Sequence, residues 1–245
     1  MTRRPPPARL GFLYPGYAAE DDYPRMGAML DPPAEIHLIH TEFMEDAHSV
    51  GALSEMGSVE RLLQGAAFLE GSRIESVMWS STSASFVLGL DGIRQQIDAL
   101  EKRLGVPAST TAMAFARAVK AVDARRVAIA ATYPEDVALL FRQFLGHFEI
   151  DVVHHSSRGI VTAAEVGTLE KEDVIDFARQ NTPQNVDALL IPDTALHSAA
   201  WLTELEKATG TIVLTANQVS FWEALRLCGK LTPQPSLGTL FEEIP

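Results

Sequence analysis

The chain has 245 residues, 47% of them apolar, enough to bury the core of one large domain or two small ones. Its net charge of −12 argues against binding nucleic acid or an anionic membrane surface, but leaves room for a small anionic substrate held by local dipoles. A single cysteine, Cys228, excludes an internal disulfide framework, and the cytoplasm is the expected compartment.

Residues 1–8 are rich in proline and are expected to form a loosely held tail without the apolar stretch of a secretory signal. Leu10–Tyr14 reads as a first buried strand, ended by Pro15-Gly16. Glu20-Asp21-Asp22 reads as a solvated turn, and Glu35–His40 as a second strand. Over Ser58–Leu69 the apolar positions Val59, Leu62, Leu63, Ala66 and Ala67 follow a helical stripe. Ser76–Trp79 is a third strand, Ser81–Ser85 a polar turn and Phe86–Leu104 a helix. A helix over Ala114–Val122 precedes a strand over Arg126–Ala131. Pro134, Glu135 and Asp136 suit the first turn of a helix running over Val137–Phe148. Beyond it come strand Ile150–His154, helix Lys171–Gln180, strand Ala188–Ile191, helix Ala199–Thr209, strand Thr211–Leu214 and helix Val219–Leu227. No apolar run reaches the ~20 residues that span a bilayer.

The chain says nearly the same thing twice. Leu100-Glu101-Lys102, Gly105 and Thr110 recur as Leu205-Glu206-Lys207, Gly210 and Thr215, all displaced by 105 residues. Each copy runs strand, small polar loop, helix, Gly, strand, polar loop. Alternating strands and helices predict mainly parallel sheets covered on both faces. The expected architecture is therefore α/β, with two similar half-domains related by a pseudo-twofold. The halves are drawn at residues 9–113 and 114–245, with terminal elements free to exchange between them. An apolar helix at a half-domain edge would allow a homo-oligomer.

Ligands of such units bind beyond the carboxyl ends of the strands. Four strand-to-helix junctions carry polar clusters there: Tyr14-Pro15-Gly16, Ser81-Thr82-Ser83, Thr132-Tyr133 and Asp193-Thr194. Hydroxyls beside unpaired N–H groups at a helix start make a cradle for a carboxylate or phosphate. The plainer alternative is that these residues cap helices. Two related junctions facing one cleft favour the cradle. Nucleotide fingerprints and the G-x-S-x-G elbow are absent. His37 with His40, and His154 with His155, lack the spacing of a metal site, so no metal is expected. His197, four residues after Asp193, reads as a surface imidazole, with an acid/base role as the alternative. Cys228 reads as a packing residue, as do Phe221 and Trp222.

The stretches GFLYPG, MWSSTSASFVLG, RRVAIAATYPEDV, DALLIPDTAL and SFWEALRL run in order through both halves. As a set they resemble the arylmalonate decarboxylase and maleate isomerase branch of the aspartate/glutamate racemase superfamily. The resemblance implies two half-domains with the substrate between them and no organic cofactor or metal. It also implies that Thr82, Ser83, Tyr133 and backbone amides near Thr194 hold a substrate carboxylate, with Pro15 at the same cleft. Racemases and isomerases of this superfamily place one cysteine in each paired loop, and the decarboxylase keeps the second. Here the two positions read as Ser81 and Asp193. A two-thiol mechanism is therefore unsupported.

The reading that follows is an enzyme acting on a small carboxylate or dicarboxylate, a decarboxylase-type lyase. Asp193 would move the proton at the reacting carbon, and Ser81 would position the substrate or act as a weak second donor. Two alternatives stay open. One is a carboxylate-binding protein that has lost catalysis. The other is a hydrolase in which Asp193 activates water or Ser81.

Overall fold

The computed structural model describes residues 6–242. The first half contains β1 (Arg9–Pro15), α1 (Asp22–Ala28), β2 (Glu35–Thr41), α2 (Val50–Met56), α3 (Val59–Ala66), β3 (Ser76–Trp79), α4 (Ser83–Phe86), α5 (Gly89–Leu104), β4 (Ala108–Thr110) and α6 (Thr111–Ala121). The second contains β5 (Arg126–Ala131), α7 (Glu135–Gly146), β6 (Asp151–Ser157), α8 (Ala163–Val166), α9 (Lys171–Gln180), β7 (Ala188–Ile191), α10 (Leu202–Thr209), β8 (Ile212–Thr215) and α11 (Ala216–Leu227).

Each half holds one four-stranded parallel sheet, ordered β2-β1-β3-β4 and β6-β5-β7-β8. The second order repeats the first, element for element. Strand chemistry explains who sits where. β3 and β7 are buried along their whole length and, apart from Ser76 at the start of β3, read as apolar runs, as suits central parallel strands. β2 and β6 form one edge of each sheet, are only partly buried, and carry the histidine pairs. There His37 pairs with Glu35 and His155 with Glu135. No cluster of three metal-ligating side chains occurs among the described residues.

The halves are tied by exchange of helices. α11 leaves β8 of the second sheet and packs on α6, and it also touches β3 and β4 of the first sheet. Glu223 of α11 is fully buried between Arg117 of α6 and Arg226. Aromatic rings bridge the same seam: Phe115 of the first half meets Phe141 of the second at 5.4 Å, and Phe141 meets Phe86 at 5.3 Å.

Several local expectations change. A division at 113/114 cuts α6, a single helix opened by the Thr110 cap. Residues 1–5 of the expected tail lie outside the described residues. Pro7 and Ala8 are held: Ala8 is buried, its carbonyl accepts from Glu35 N, and Lys230 Nζ donates to the Pro7 carbonyl. The polar turn after β3 becomes helical from Ser83. Asp22 opens α1 and is 1% exposed, so the acidic turn is solvated only in part.

Candidate active site

The polar junctions gather at the carboxyl ends of the strands, around a cavity of about 150 Å³. A dry engineered cavity of roughly that size admits benzene, so there is room for a small acid. Ser81, Ser83, Asp193 and Thr194 line it, together with Pro15 and Gly16. Phe43, Leu53 and Met56 supply an apolar wall. Thr82 and Tyr133 are buried against this set without lining the cavity themselves.

The first loop is positioned by close packing. Gly57 touches α4 so tightly that a Cβ there would sit 1.8 Å from the Ala84 carbonyl oxygen. Buried Gln96 donates to both Gly57 O and Ala84 O, at 2.8 and 2.9 Å. Ser81 Oγ accepts from Ala84 N at 3.3 Å. Thr82 Oγ1 is buried and makes no hydrogen bond among the described residues. A buried orphan hydroxyl costs about 1–3 kcal/mol unless a ligand supplies its partner.

The second loop presents Asp193, which is 4% exposed. Both of its carboxylate oxygens are engaged. Thr132 Oγ1 donates to Oδ2, and Ala195 N donates to Oδ1 at 2.9 Å. Tyr14 fixes the next residue by donating to Thr194 O at 2.9 Å, while accepting from Ala19 N at 3.0 Å. Tyr133 donates to the Pro192 carbonyl. Burial first, then the nearby Asp193 carboxylate, pushes the Tyr133 phenol well above its usual range; the hydroxyls of Thr82 and Ser83 oppose the shift. Tyr133 therefore stays protonated and is a hydrogen-bond donor at any ordinary pH.

Two further side chains, a histidine and the cysteine, lie outside the cavity. His197 Nε2 is paired with Asp21 Oδ1 at 2.9 Å on the surface, and it does not line the cavity. Cys228 sits at the end of α11, its Sγ directed at Leu225 O, with burial raising its thiol above the usual value. Among the described residues Ser81 makes no hydrogen bond to Asp193 or His197, so the serine has no paired base.

Sequence reasoning missed His48 and Asp46, which line the same cavity from the segment after β2. No periodicity marks that segment. The available signal was position alone, just past the carboxyl end of a parallel strand. It also missed the role of Asp22, whose Oδ2 accepts from Ser198 N, Ala199 N and Asn217 Nδ2 at 2.9, 3.1 and 3.1 Å.

Two facing parallel α/β halves, with hydroxyls from one and a carboxylate from the other at a shared cleft, define an architecture of the Asp/Glu racemase kind. The arylmalonate decarboxylase family model matches residues 25–241, and the chain belongs to that family. The arylmalonate decarboxylase of Bordetella bronchiseptica is 27% identical over 178 residues, covering 71% of this chain and 73% of the relative. The maleate isomerase Iso of Pseudomonas putida S16 superposes with a TM-score of 0.87 at 19% identity, over 96% of this chain and 98% of that one. The maleate cis-trans isomerase of Nocardia farcinica gives 0.85 at 22% identity, over 96% and 98%. No helix among the described residues is long and apolar enough to cross a membrane.

Proposed function

We propose that the chain is a decarboxylase-type lyase acting on a small dicarboxylate, with its own side chains carrying the chemistry. The observation that supports this most is Asp193, a buried carboxylate fixed by two donors in the same cavity as the hydroxyls of Ser81 and Ser83.

In this reading one substrate carboxylate is held by Ser81 and Ser83, with the backbone near Thr194 completing the cradle, while Thr82 and Tyr133 support it from behind the lining. The second carboxylate lies toward Phe43, Leu53 and Met56. Its C–C bond breaks, CO2 leaves, and the electron pair passes into the retained carboxylate as an enediolate. The hydroxyl donors stabilise that growing charge. Asp193 takes up a proton from solvent and passes it to the carbon, returning to the carboxylate.

A second reading has its own support. Both loop positions that carry thiols in racemases and isomerases of the superfamily are Ser81 and Asp193 here, as expected of a protein that kept the cleft and lost catalysis. One experiment separates the two. The protein is screened by thermal shift against malonate, phenylmalonate and maleate, and the hits are followed by NMR in deuterated water. Stabilisation by phenylmalonate with CO2 release and deuterium at the product carbon is the expected result. Stabilisation with the ligand unchanged overturns the lyase and leaves a binding protein. No stabilisation by any acid overturns the cradle.

A further inference from the structure

We infer that His48 is a second proton-carrying residue of this cavity, acting from the first half on the carbon beside the held carboxylate. The inference rests on the reading of the cavity as a carboxylate site.

His48 is the one residue lining the cavity whose side chain can carry a positive charge; the acids there are Asp46 and Asp193. It is 8% exposed, fixed by one backbone contact and two contacts to its ring. Its backbone N–H donates to Val161 O at 2.7 Å. Nδ1 lies 2.9 Å from the Ile160 carbonyl oxygen. Its ring meets Tyr133 edge-on, with centroids 5.1 Å apart and planes at 79°.

The Ile160 contact decides the tautomer. A carbonyl oxygen only accepts, so Nδ1 carries the hydrogen. In the neutral ring the lone pair is then on Nε2, which has no hydrogen-bond partner among the described residues. A histidine whose other nitrogen is fixed by a backbone carbonyl has the arrangement of an oriented general base. No described residue engages Nε2, and the ring borders the cavity that also holds Asp193.

The step balances simply. Neutral Nε2 takes the proton from the carbon α to the bound carboxylate. The C–H electron pair becomes the enediolate, and the ring becomes an imidazolium with hydrogen on both nitrogens. Running the step backward returns a proton to carbon. In deuterated water the imidazolium exchanges with solvent, so a saturated product acid acquires deuterium at its α-carbon with no net reaction. With Asp193 as the other proton carrier, the cavity has two such groups although neither loop holds a thiol.

The test uses His48→Asn, which retains a side-chain N–H near the Nδ1 position and removes Nε2. Wild type, His48→Asn and Asp193→Asn are incubated with phenylmalonate, and separately with phenylacetate, in deuterated water. Malonate thermal shift reports the state of the cradle in each. The expected result is that His48→Asn binds malonate like wild type while α-deuteration of phenylacetate falls by about 10²-fold, the lower range for a general base. Wild-type exchange in His48→Asn, with loss confined to Asp193→Asn, overturns the role of His48 and leaves the lyase standing. If wild type neither turns over nor exchanges any acid, the lyase reading fails separately, and the imidazole 15N spectrum of wild type decides. Movement of the His48 Nε2 resonance on adding malonate then supports the assignment, and an unmoved resonance overturns it. The spectrum also serves if His48→Asn fails to fold.

Discussion

Helices α5 and α10 hold the same place in their halves, yet one is 16 residues long and the other 8. Their last turns agree in detail. Gly105 and Gly210 close them in the left-handed conformation, at φ 69° and 68°, with each N–H donating back at 2.8 Å to Glu101 O and Glu206 O. Glu101 then accepts from Ala108 N, and Glu206 from Val213 N, tying each following strand to the helix before it. Thr110 and Thr215 cap the next helices. The first turns disagree. Where the first half runs from Ser83 almost directly into helix, the second keeps 193–201 irregular. That loop carries Asp193 and aims Ser198 N and Ala199 N at Asp22 of the other half. Duplication preserved the ends remote from the cleft and let the ends facing it diverge, so the chemistry is to be sought in the differences.

The sharpest way to break this comparison is to neutralise one loop at a time. Asp193→Asn keeps the shape and removes the proposed proton carrier, so turnover of phenylmalonate should fall by roughly 10²–10⁴-fold. Ser81→Ala removes one neutral donor, worth about 1 kcal/mol or somewhat under tenfold. Equal losses in steady-state kinetics would mean that the loops share the chemistry rather than divide it.

The next effect is on stability. Asp22→Ala leaves the buried Ser198 and Ala199 N–H groups without an acceptor and should lower unfolding stability in urea by roughly 3 kcal/mol, the upper range for such orphans. The native carboxylate has a pH signature as well. Burial pushes the Asp22 carboxyl above its ordinary 3.8, while the donors from Asn217, Ser198 and Ala199 pull it back in part. The folded state thus keeps a proton that the unfolded chain has released. The contribution of this group therefore falls as pH rises through the window above 3.8. In Asp22→Asn that slope disappears. A slope of opposite sign in the wild-type minus variant difference would show that the donors outweigh burial.

A smaller effect is expected at Gly57. An added methyl meets the Ala84 carbonyl, and overpacking of this kind costs about 1–3 kcal/mol. Because that carbonyl belongs to α4, Gly57→Ala should also weaken stabilisation by malonate through Ser83. Lost stability with unchanged malonate binding would show that the first loop is held by something other than this contact.

What could be read from the sequence follows the same line. The displaced Leu-Glu-Lys, Gly and Thr were legible because helix caps are local: Gly at the end and Thr at the next start act within a few residues. The central strands were legible because they are short runs of almost wholly apolar residues. That Ser81 and Asp193 line one cavity was legible because each follows the equivalent strand of its half. His48 was not, since its orientation comes from Ile160 O and Val161 O, over a hundred residues away in an irregular segment. Asp22 read as solvated for the same reason, its donors being at positions 198, 199 and 217. The short α2 had a signal in the Ser49 cap, which accepts from Ala52 N, but seven residues give too few turns for a stripe.

The smallest expected effect tests the sameness rather than the difference. Gly105 and Gly210 both sit at positive φ with open space where a Cβ would project. An alanine at either site meets no neighbour, so its cost is the left-handed backbone alone, offset in part by a stiffer unfolded chain. Gly105→Ala and Gly210→Ala should each lose about 1 kcal/mol in urea unfolding, and the two losses should agree. Because the sites lie on different sheets and share no partner, the double variant should lose their sum. A clear shortfall from additivity would mean that the two helix ends communicate across the seam formed by α6 and α11, and the halves would then be one cooperative unit rather than two copies of a scaffold.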